Sequence, residues 1–354
     1  MARDTQVFVR LRTTGAQIME LGRASEWWEY KIVPALMVGY ATSLCLGSSP
    51  WMALNGLGLF LIALLPGGIF VGVLNDWADR AEDALAGKPN RLEGKPPWVG
   101  IVLIVLCLAA GGAICWFWRD QPLLVATYLT GWLSFALYSL PPFRFKSRGI
   151  AGILCDATGA HLVPSLLAAL VTARALGMAL HAEWVLAVGC WALLYGLRGI
   201  LWHQIGDLGA DQSSRTHTFV ARYGKSLTIG AVHWLLFPLE LCAIAAIVIQ
   251  TGPGGVAAAC AALLLYGGLE HGRYDRFDMS VTIVEPRPRS SVALLEYYGV
   301  FLPLALLVLG IFRDWETLAI LLLHGLLFPA RCRQICADVA KFADPQYVPR
   351  SKRS

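Results

Sequence analysis

The stretch 51-WMALNGLGLFLIALLPGGIFVGVLNDWADRAED-83 decides how this chain is to be read. From Trp51 to Leu74 it carries no charged residue, and about 20 such residues suffice for a helix to cross the hydrocarbon core of a bilayer. It then runs into 75-NDWADRAED-83. Asn75, Asp79 and Asp83 follow one another at four-residue spacing and so project from one face of a helix, with Asp76 bordering that face. A membrane span therefore hands over directly to a carboxylate-rich surface.

The rest of the chain has the same character. Of its 354 residues 56% are hydrophobic and 15% charged, whereas soluble domains carry about 25% charged residues. Apolar runs recur at about 31–48, 51–75, 98–118, 122–140, 149–172, 182–202, 226–250, 254–270, 291–312 and 315–330, the last short enough to lie in the interface. No polar module interrupts them, so the expectation is an all-α, polytopic bundle. Its organisation reads as a polar N-terminal segment 1–30, a transmembrane domain 31–330 and a basic tail 331–354. Residues 1–30 contain no apolar h-region, which argues against a cleaved signal peptide. The nine cysteines are scattered through apolar runs and form no ligand set; Cys332 and Cys336, one turn apart, have no second pair. A net charge of +5 on such a chain points to a membrane and not to nucleic acid.

Charge placement sets an orientation. The loops 76–97, 141–148, 203–225 and 271–290 carry 4, 3, 3 and 4 basic residues, while the opposite loops carry only Arg119, Arg174 and Arg313. Cytoplasmic loops collect Lys and Arg, so the expected location is the cell membrane, multi-pass, with both termini and these four loops facing the cytoplasm.

A second acidic cluster, 203-HQIGDLGAD-211, ends the sixth apolar run on that same side. Asp207 and Asp211 repeat the four-residue spacing, with His203 one turn earlier. Like charges so spaced destabilise a helix by a few tenths of a kcal/mol per pair, so something has to offset them. Mg²⁺ takes carboxylate oxygens while leaving positions for water and phosphate. Two such clusters on one rim could hold ions that bridge a diphosphate and neutralise it as it leaves. Either cluster alone would pass for a solvated helix end.

With these residues in place the sequence resembles the UbiA superfamily of intramembrane prenyltransferases. Asn75-Asp76-x-x-Asp79-x-x-x-Asp83 matches its first motif and Asp207-x-x-x-Asp211 its second. The segments 138-YSLPPFRFKSRG-149 and 215-RTHTFVARYG-224 resemble the stretches after its fourth helix and after its second motif. The resemblance implies nine helices around a central cavity, a cytoplasmic cap, a lateral opening to lipid, an isoprenoid tail in the cavity and Mg²⁺ on its diphosphate. Three features depart from the pattern: a tenth apolar segment, His203-Gln204 before the second motif, and 86-AGKPNR-91 where many members have an Arg-Pro pair.

Roles follow as expectations. Asp76, Asp79 and Asp83 hold one Mg²⁺, Asp207 and Asp211 another, and Asn75 bonds the diphosphate or a metal-bound water. Lys146, Arg144 and Arg215, with Lys88 and Arg91 in the first cap loop, are candidate phosphate clamps, though positive-inside topology alone explains basic loops. Arg198, within a span, either snorkels to the rim or meets a phosphate. Asp156 positions an acceptor, takes its proton, or is a buried paired carboxylate. His161 reads as structural, and Glu240 and His233 receive no role. Tyr138 is placed to face a carbocation. The leading reaction is transfer of a prenyl group from a prenyl diphosphate to a lipophilic or aromatic acceptor drawn from membrane lipid. A cyclase of the same architecture, a phosphosugar transferase and a non-catalytic transporter or lipid-binding protein are the competing readings.

Overall fold

A computed structural model describes residues 15–87, 89–213, 216–274 and 293–342, and among these all regular structure is helical. The elements are α1 (Ala24–Cys45), α2 (Leu54–Ala86), α3 (Pro97–Phe117), α4 (Pro122–Ser139), α5 (Ile150–Ala175), α6 (Ala182–Gly206), α7 (Lys225–Gln250), α8 (Pro253–Tyr274), α9 (Tyr297–Arg313), α10 (Thr317–Leu327) and α11 (Pro329–Phe342). Each expected apolar run finds its helix. Proline opens α3, α4, α8 and α11, where its missing N–H has no intrahelical partner to lose. At the other end of α2, Gly87 takes the left-handed conformation that stops the helix.

Six helices are long and apolar enough to cross a membrane: the one ending in the first motif, α3, α5, α6, α7 and α8. The bent pair α10–α11 brings the number to as many as seven. The remaining helices α1, α4 and α9 pack into the same bundle but do not meet that measure, so the expected nine spans do not follow from length and composition. The tenth segment is α10, 11 residues long, which joins α11 at an 82° bend. At 1.5 Å per residue α10 reaches only about 16 Å, roughly half of the hydrocarbon thickness.

The bundle is organised around α1, whose residues from Ile32 to Leu44 are buried throughout. Its polar groups find partners inside: Thr42 and Ser43 donate to carbonyls one turn back, Trp184 of α6 donates to Thr42, and Tyr40 pairs with His324 of α10. Such satisfaction is obligatory where no water is available. Outer helices show the opposite pattern. On α3 Val105, Leu106, Trp116 and Phe117 are exposed, as a lipid-facing surface requires.

Three helices contain a widened π turn, at Thr158–Leu162 in α5, Val232–Leu236 in α7 and Tyr297–Phe301 in α9. Pro164, Pro238 and Pro303 follow just after. Each proline ring crowds the carbonyl four residues back, which falls inside the π turn, and the wider turn relieves that clash.

Candidate active site

At about 1.5 Å per residue α2 is about 50 Å long, so its last turns clear a hydrocarbon core of about 30 Å and carry the first motif beyond it. Asp76 and Asp79 are nonetheless buried, because other segments close over them. A turn at Gly22–Arg23 lies against α2 with no room to spare. A Cβ on Gly72 would stand 2.6 Å from the Gly22 carbonyl oxygen, and one on Gly68 would stand 2.7 Å from the Trp27 ring. This contact aims Arg23 at Asp76, at 3.4 Å. From the other side the Arg91 backbone N–H donates to Asp76 at 3.2 Å, and Asn90 donates both to the Asp76 carbonyl and to Asp83 at 2.8 Å.

Asp79 meets the loop after α4. Arg144 donates to it at 3.1 Å while forking onto Glu82, and the Lys146 ammonium is in direct contact with the same Asp79 oxygen. The hydrogen-bonded Glu82 carboxylate pushes the Arg144 guanidinium even further above its ordinary range, so its charge is permanent. Lys146 rides on the short 3₁₀ turn Phe145–Ser147, which is packed on Gly152 of α5 so closely that a Cβ there would stand 2.5 Å from the Phe145 carbonyl oxygen.

The second motif ends α6. Asp207 is its C-cap and is exposed, whereas Asp211, on the short helix Leu208–Ser213, is buried and accepts from Thr218 at 3.0 Å. Gln204 accepts from the Val220 N–H, and the His217 carbonyl accepts from Gly149, tying the loop after the second motif to the Lys146 loop. The two motifs meet around the loop that follows Tyr138: Arg144 and Lys146 hold Asp79, and Gly149 donates to the loop after the second motif. Tyr138 itself, next to last on α4, keeps part of its surface accessible. One turn before it, at Phe135, begins the wall of an apolar cavity that is partly open to the surroundings and is lined further by Trp27, Phe70, Tyr128, Trp132 and Leu167.

Known proteins bear on this arrangement. The sequence pattern of the UbiA prenyltransferase family matches residues 33–283, well over half of the chain. The chain belongs to that family. The fold agrees. A UbiA homologue from Archaeoglobus fulgidus bound to GPP and Mg²⁺ superposes with a TM-score of 0.55 at 17% identity, over 83% of this chain and 98% of that one. The same homologue bound to DMAPP and Mg²⁺ gives 0.54 at 17% identity, over 83% and 97%. No curated protein matches the sequence. The chain is thus a membrane-embedded, all-helical UbiA protein.

In this UbiA chain the expected site residues separate into groups. Asp76, Asp79, Asp83, Arg144, Lys146, Arg91, Tyr138, Asp156, Asp207, Asp211 and His203 gather at one end of the bundle, with Asn75 half-buried beside them. Arg91 contributes its backbone N–H to Asp76, while its guanidinium pairs with Glu26. Lys88 and Arg215 lie outside the described residues. Arg198 requires a correction. It neither snorkels nor reaches a phosphate position: it is fully buried, its guanidinium forks onto Glu240 of α7 at 2.7 and 2.6 Å, and it donates to the Ala293 carbonyl. Glu240, given no role from sequence, is the partner that makes the burial tolerable.

Other participants had no sequence signal. Arg23 sits in an unpatterned polar segment, and Glu82 falls between two motif positions. Lys31, immediately before the buried apolar stretch of α1, lines the cavity within electrostatic reach of His161 and His203 and has no hydrogen bond or ion pair among the described residues. Asp156 likewise has no hydrogen-bonded partner among them and faces Tyr138 and His203, which is not the buried paired carboxylate that remained an option.

The donor set suits a hard cation. No three His, Cys, Asp or Glu side chains among the described residues close into a metal cage. Mg²⁺ asks for less, usually one or two carboxylates with waters and substrate phosphates completing its shell. The carboxylates of Asp76, Asp79 and Asp83 at the end of α2, and of Asp207 and Asp211 after α6, supply oxygens of that kind.

Proposed function

We propose that this protein is a Mg²⁺-dependent intramembrane prenyltransferase that moves a prenyl group from a prenyl diphosphate to a lipophilic or aromatic acceptor and releases diphosphate. The observation that carries this is the junction at Tyr138. The Asp79 carboxylate, a Lys146–Arg144 cation pair and the loop of the second motif gather there, and the apolar, aromatic-walled cavity begins one turn further along α4 at Phe135. The two ends match the two ends of an amphiphile with a phosphorylated head and a hydrocarbon tail. The Archaeoglobus homologue's complexes with GPP or DMAPP and Mg²⁺ support the same reading.

Asp76, Asp79 and Asp83 on α2, and Asp207 and Asp211 at the end of α6, are the residues that would hold Mg²⁺. Bound there, the ion would draw charge from the leaving diphosphate. Lys146 and Arg144 donate to oxygens of the departing group, Lys as a point charge and Arg as a fork. Asn75 orients a phosphate or a water. Tyr138 offers a ring face to the allylic cation, an interaction of about 0.5–2 kcal/mol. Asp156, beside His203, accepts the proton that the acceptor loses once its new carbon bond has formed. The apolar wall keeps water from capturing the cation first. The cap faces the cytoplasm of the cell membrane, as the basic loops require.

The five aromatic residues in the cavity wall favour one second reading, a terpene cyclase in which the ionised chain attacks its own double bond. Diphosphate release by the purified protein separates the two. A prenyl adduct formed only with acceptor present supports transfer, and a cyclic product without acceptor supports cyclisation. Asp79→Ala and Asp207→Ala are expected to abolish release while leaving the protein folded, as its helical content reports. Near-full release in both would overturn the metal assignment.

A further inference from the structure

The cavity has a floor, and its construction is specific. Tyr128 of α4 is almost wholly buried and its hydroxyl donates to the Ala63 carbonyl of α2 at 2.8 Å, joining two helices across the bottom of the cavity. The Trp118 ring packs edge-on against Tyr128 from beyond. Above it Trp132 is wedged between Phe70 at 4.7 Å and Gly111 of α3, where a Cβ would stand 2.7 Å from the indole. Each ring is thus held by contacts on the side away from the cavity. On α4 and α2, Tyr128 and Ala63 are the lining residues farthest from the acidic motifs, so an aliphatic chain running down the cavity from the Tyr138 end meets Tyr128.

The depth of that stop can be read on two helices. Tyr128 lies ten residues before Tyr138 on α4, a rise of about 15 Å, and its side chain leans further towards the N-terminal, outer end. Ala63 lies sixteen residues before Asp79 on α2, a rise of about 24 Å. An isoprene unit, four chain carbons long, spans about the rise of three helical residues. The longer rise starts at Asp79 and has to hold the diphosphate as well, so the hydrocarbon tail has a length between the two figures, about three to four units.

We propose that Tyr128, braced by Trp132, sets the chain length of the prenyl diphosphate at three to four isoprene units, the farnesyl to geranylgeranyl class. This rests on the prenyl-diphosphate reading above and deepens it. Two variants act in opposite directions. Tyr128→Ala removes the floor. Gly67→Leu adds bulk on the cavity wall, where a Cβ would meet only the edge of the Trp132 ring, at 4.0 Å, and so shortens the space. Tyr128→Phe, which loses only the hydroxyl bond to Ala63, reports the cost of the latch alone.

The test measures binding of geranyl, farnesyl, geranylgeranyl and geranylfarnesyl thiodiphosphates to the full-length protein with Mg²⁺, as thermal stabilisation and competition, alongside diphosphate release from the ordinary substrates. In the parent protein affinity rises to farnesyl or geranylgeranyl and falls about tenfold or more at geranylfarnesyl, the scale on which an apolar pocket discriminates length. Tyr128→Ala removes that fall, Gly67→Leu moves it to a shorter chain, and Tyr128→Phe leaves the ranking unchanged. A ranking that is flat in the parent, or that is the same in Tyr128→Ala and Gly67→Leu, overturns the proposal even if release is brisk. Length-ranked binding that shifts as expected, with no release of diphosphate under any condition, upholds the floor and overturns catalysis instead. Should Tyr128→Ala fail to fold, the shift in Gly67→Leu decides.

Discussion

Lys146 and Arg198 carry the same charge towards the same end of the molecule, yet their surroundings assign them opposite tasks. Lys146 shares Asp79 with Arg144 at the mouth of the cavity, where a phosphate can compete for it. Arg198 has no accessible surface and is committed to Glu240, beneath the Phe237 ring at 4.8 Å. Removing one partner of such a pair leaves a bare charge in a low-dielectric interior, which costs about 3–5 kcal/mol. Arg198→Ala is therefore expected to lower the unfolding temperature sharply in detergent, and Arg198→Met combined with Glu240→Leu to recover most of it. A variant as stable as its parent but with weakened diphosphate affinity would put the guanidinium at the phosphate after all. Sequence could not separate these two cations. Lys146 lay beside a motif and Arg198 lay within a span, but the carboxylate that neutralises Arg198 is 42 residues away on another helix. The acidic motifs themselves were legible because their function needs a helical spacing that survives in the primary structure.

Between the residue and the bundle stand the short turns that aim the cations. The 3₁₀ turn carrying Lys146 has no hydrophobic run of its own and takes its position from Gly152, the one side of α5 against which its backbone can lie. Gly152→Ala is expected to push that turn outward and lower prenyl diphosphate turnover by as much as about a hundredfold, since a displacement near 1 Å is enough for that. Steady-state kinetics should show the loss with no acidic residue altered and with helical content preserved. Unchanged turnover would mean that Lys146 is placed by something else. The spans were readable from hydropathy nearly end to end, as α3 at 97–117 against an expected 98–118 shows. The turn at Gly22–Arg23 was not, because nothing in a mixed polar segment says which surface will receive it. The start of α1 at Ala24, within the expected polar segment, was hidden for the same reason.

For the molecule as a whole the governing fact is the unequal distribution of basic residues between its two ends. The site end carries Arg23, Lys95, Arg144 and Arg148, and the far end little beyond Arg119 and Arg313. Cysteines introduced at Glu93 and Asp120 in a cysteine-free background should report this. The first is expected to react with an impermeant maleimide only in opened cells, the second in intact ones. The reverse pattern would invert the topology and place the diphosphate chemistry outside. Sequence left open whether 315–330 crosses, and the structure shows why apolar composition was a poor guide there. One side of α10 packs into the bundle through Thr317, Ile320 and His324, with Trp28 donating to the Leu327 carbonyl and Glu29 accepting from the first N–H groups of α11, while Leu318, Leu322, Leu323 and Leu326 stay exposed. An exposed apolar face says nothing of length, and 11 helical residues are too few to cross. Cavity-facing and lipid-facing residues were indistinguishable for a related reason, since both surfaces are hydrocarbon-like.

The three π turns have a further consequence for how such chains vary. A π turn absorbs within itself one residue that an uninterrupted α-helix would express as a rotation of about 100° in everything that follows. Among relatives, single-residue gaps are therefore expected inside the membrane at 158–162, 232–236 and 297–301, places where alignment habit forbids them. A relative lacking the gap would keep its helices and its loops. What it would change is the local contour of the bundle wall beside Asp156, so that chain-to-chain differences in cavity shape can arise from the arithmetic of residue number with no substitution in the lining.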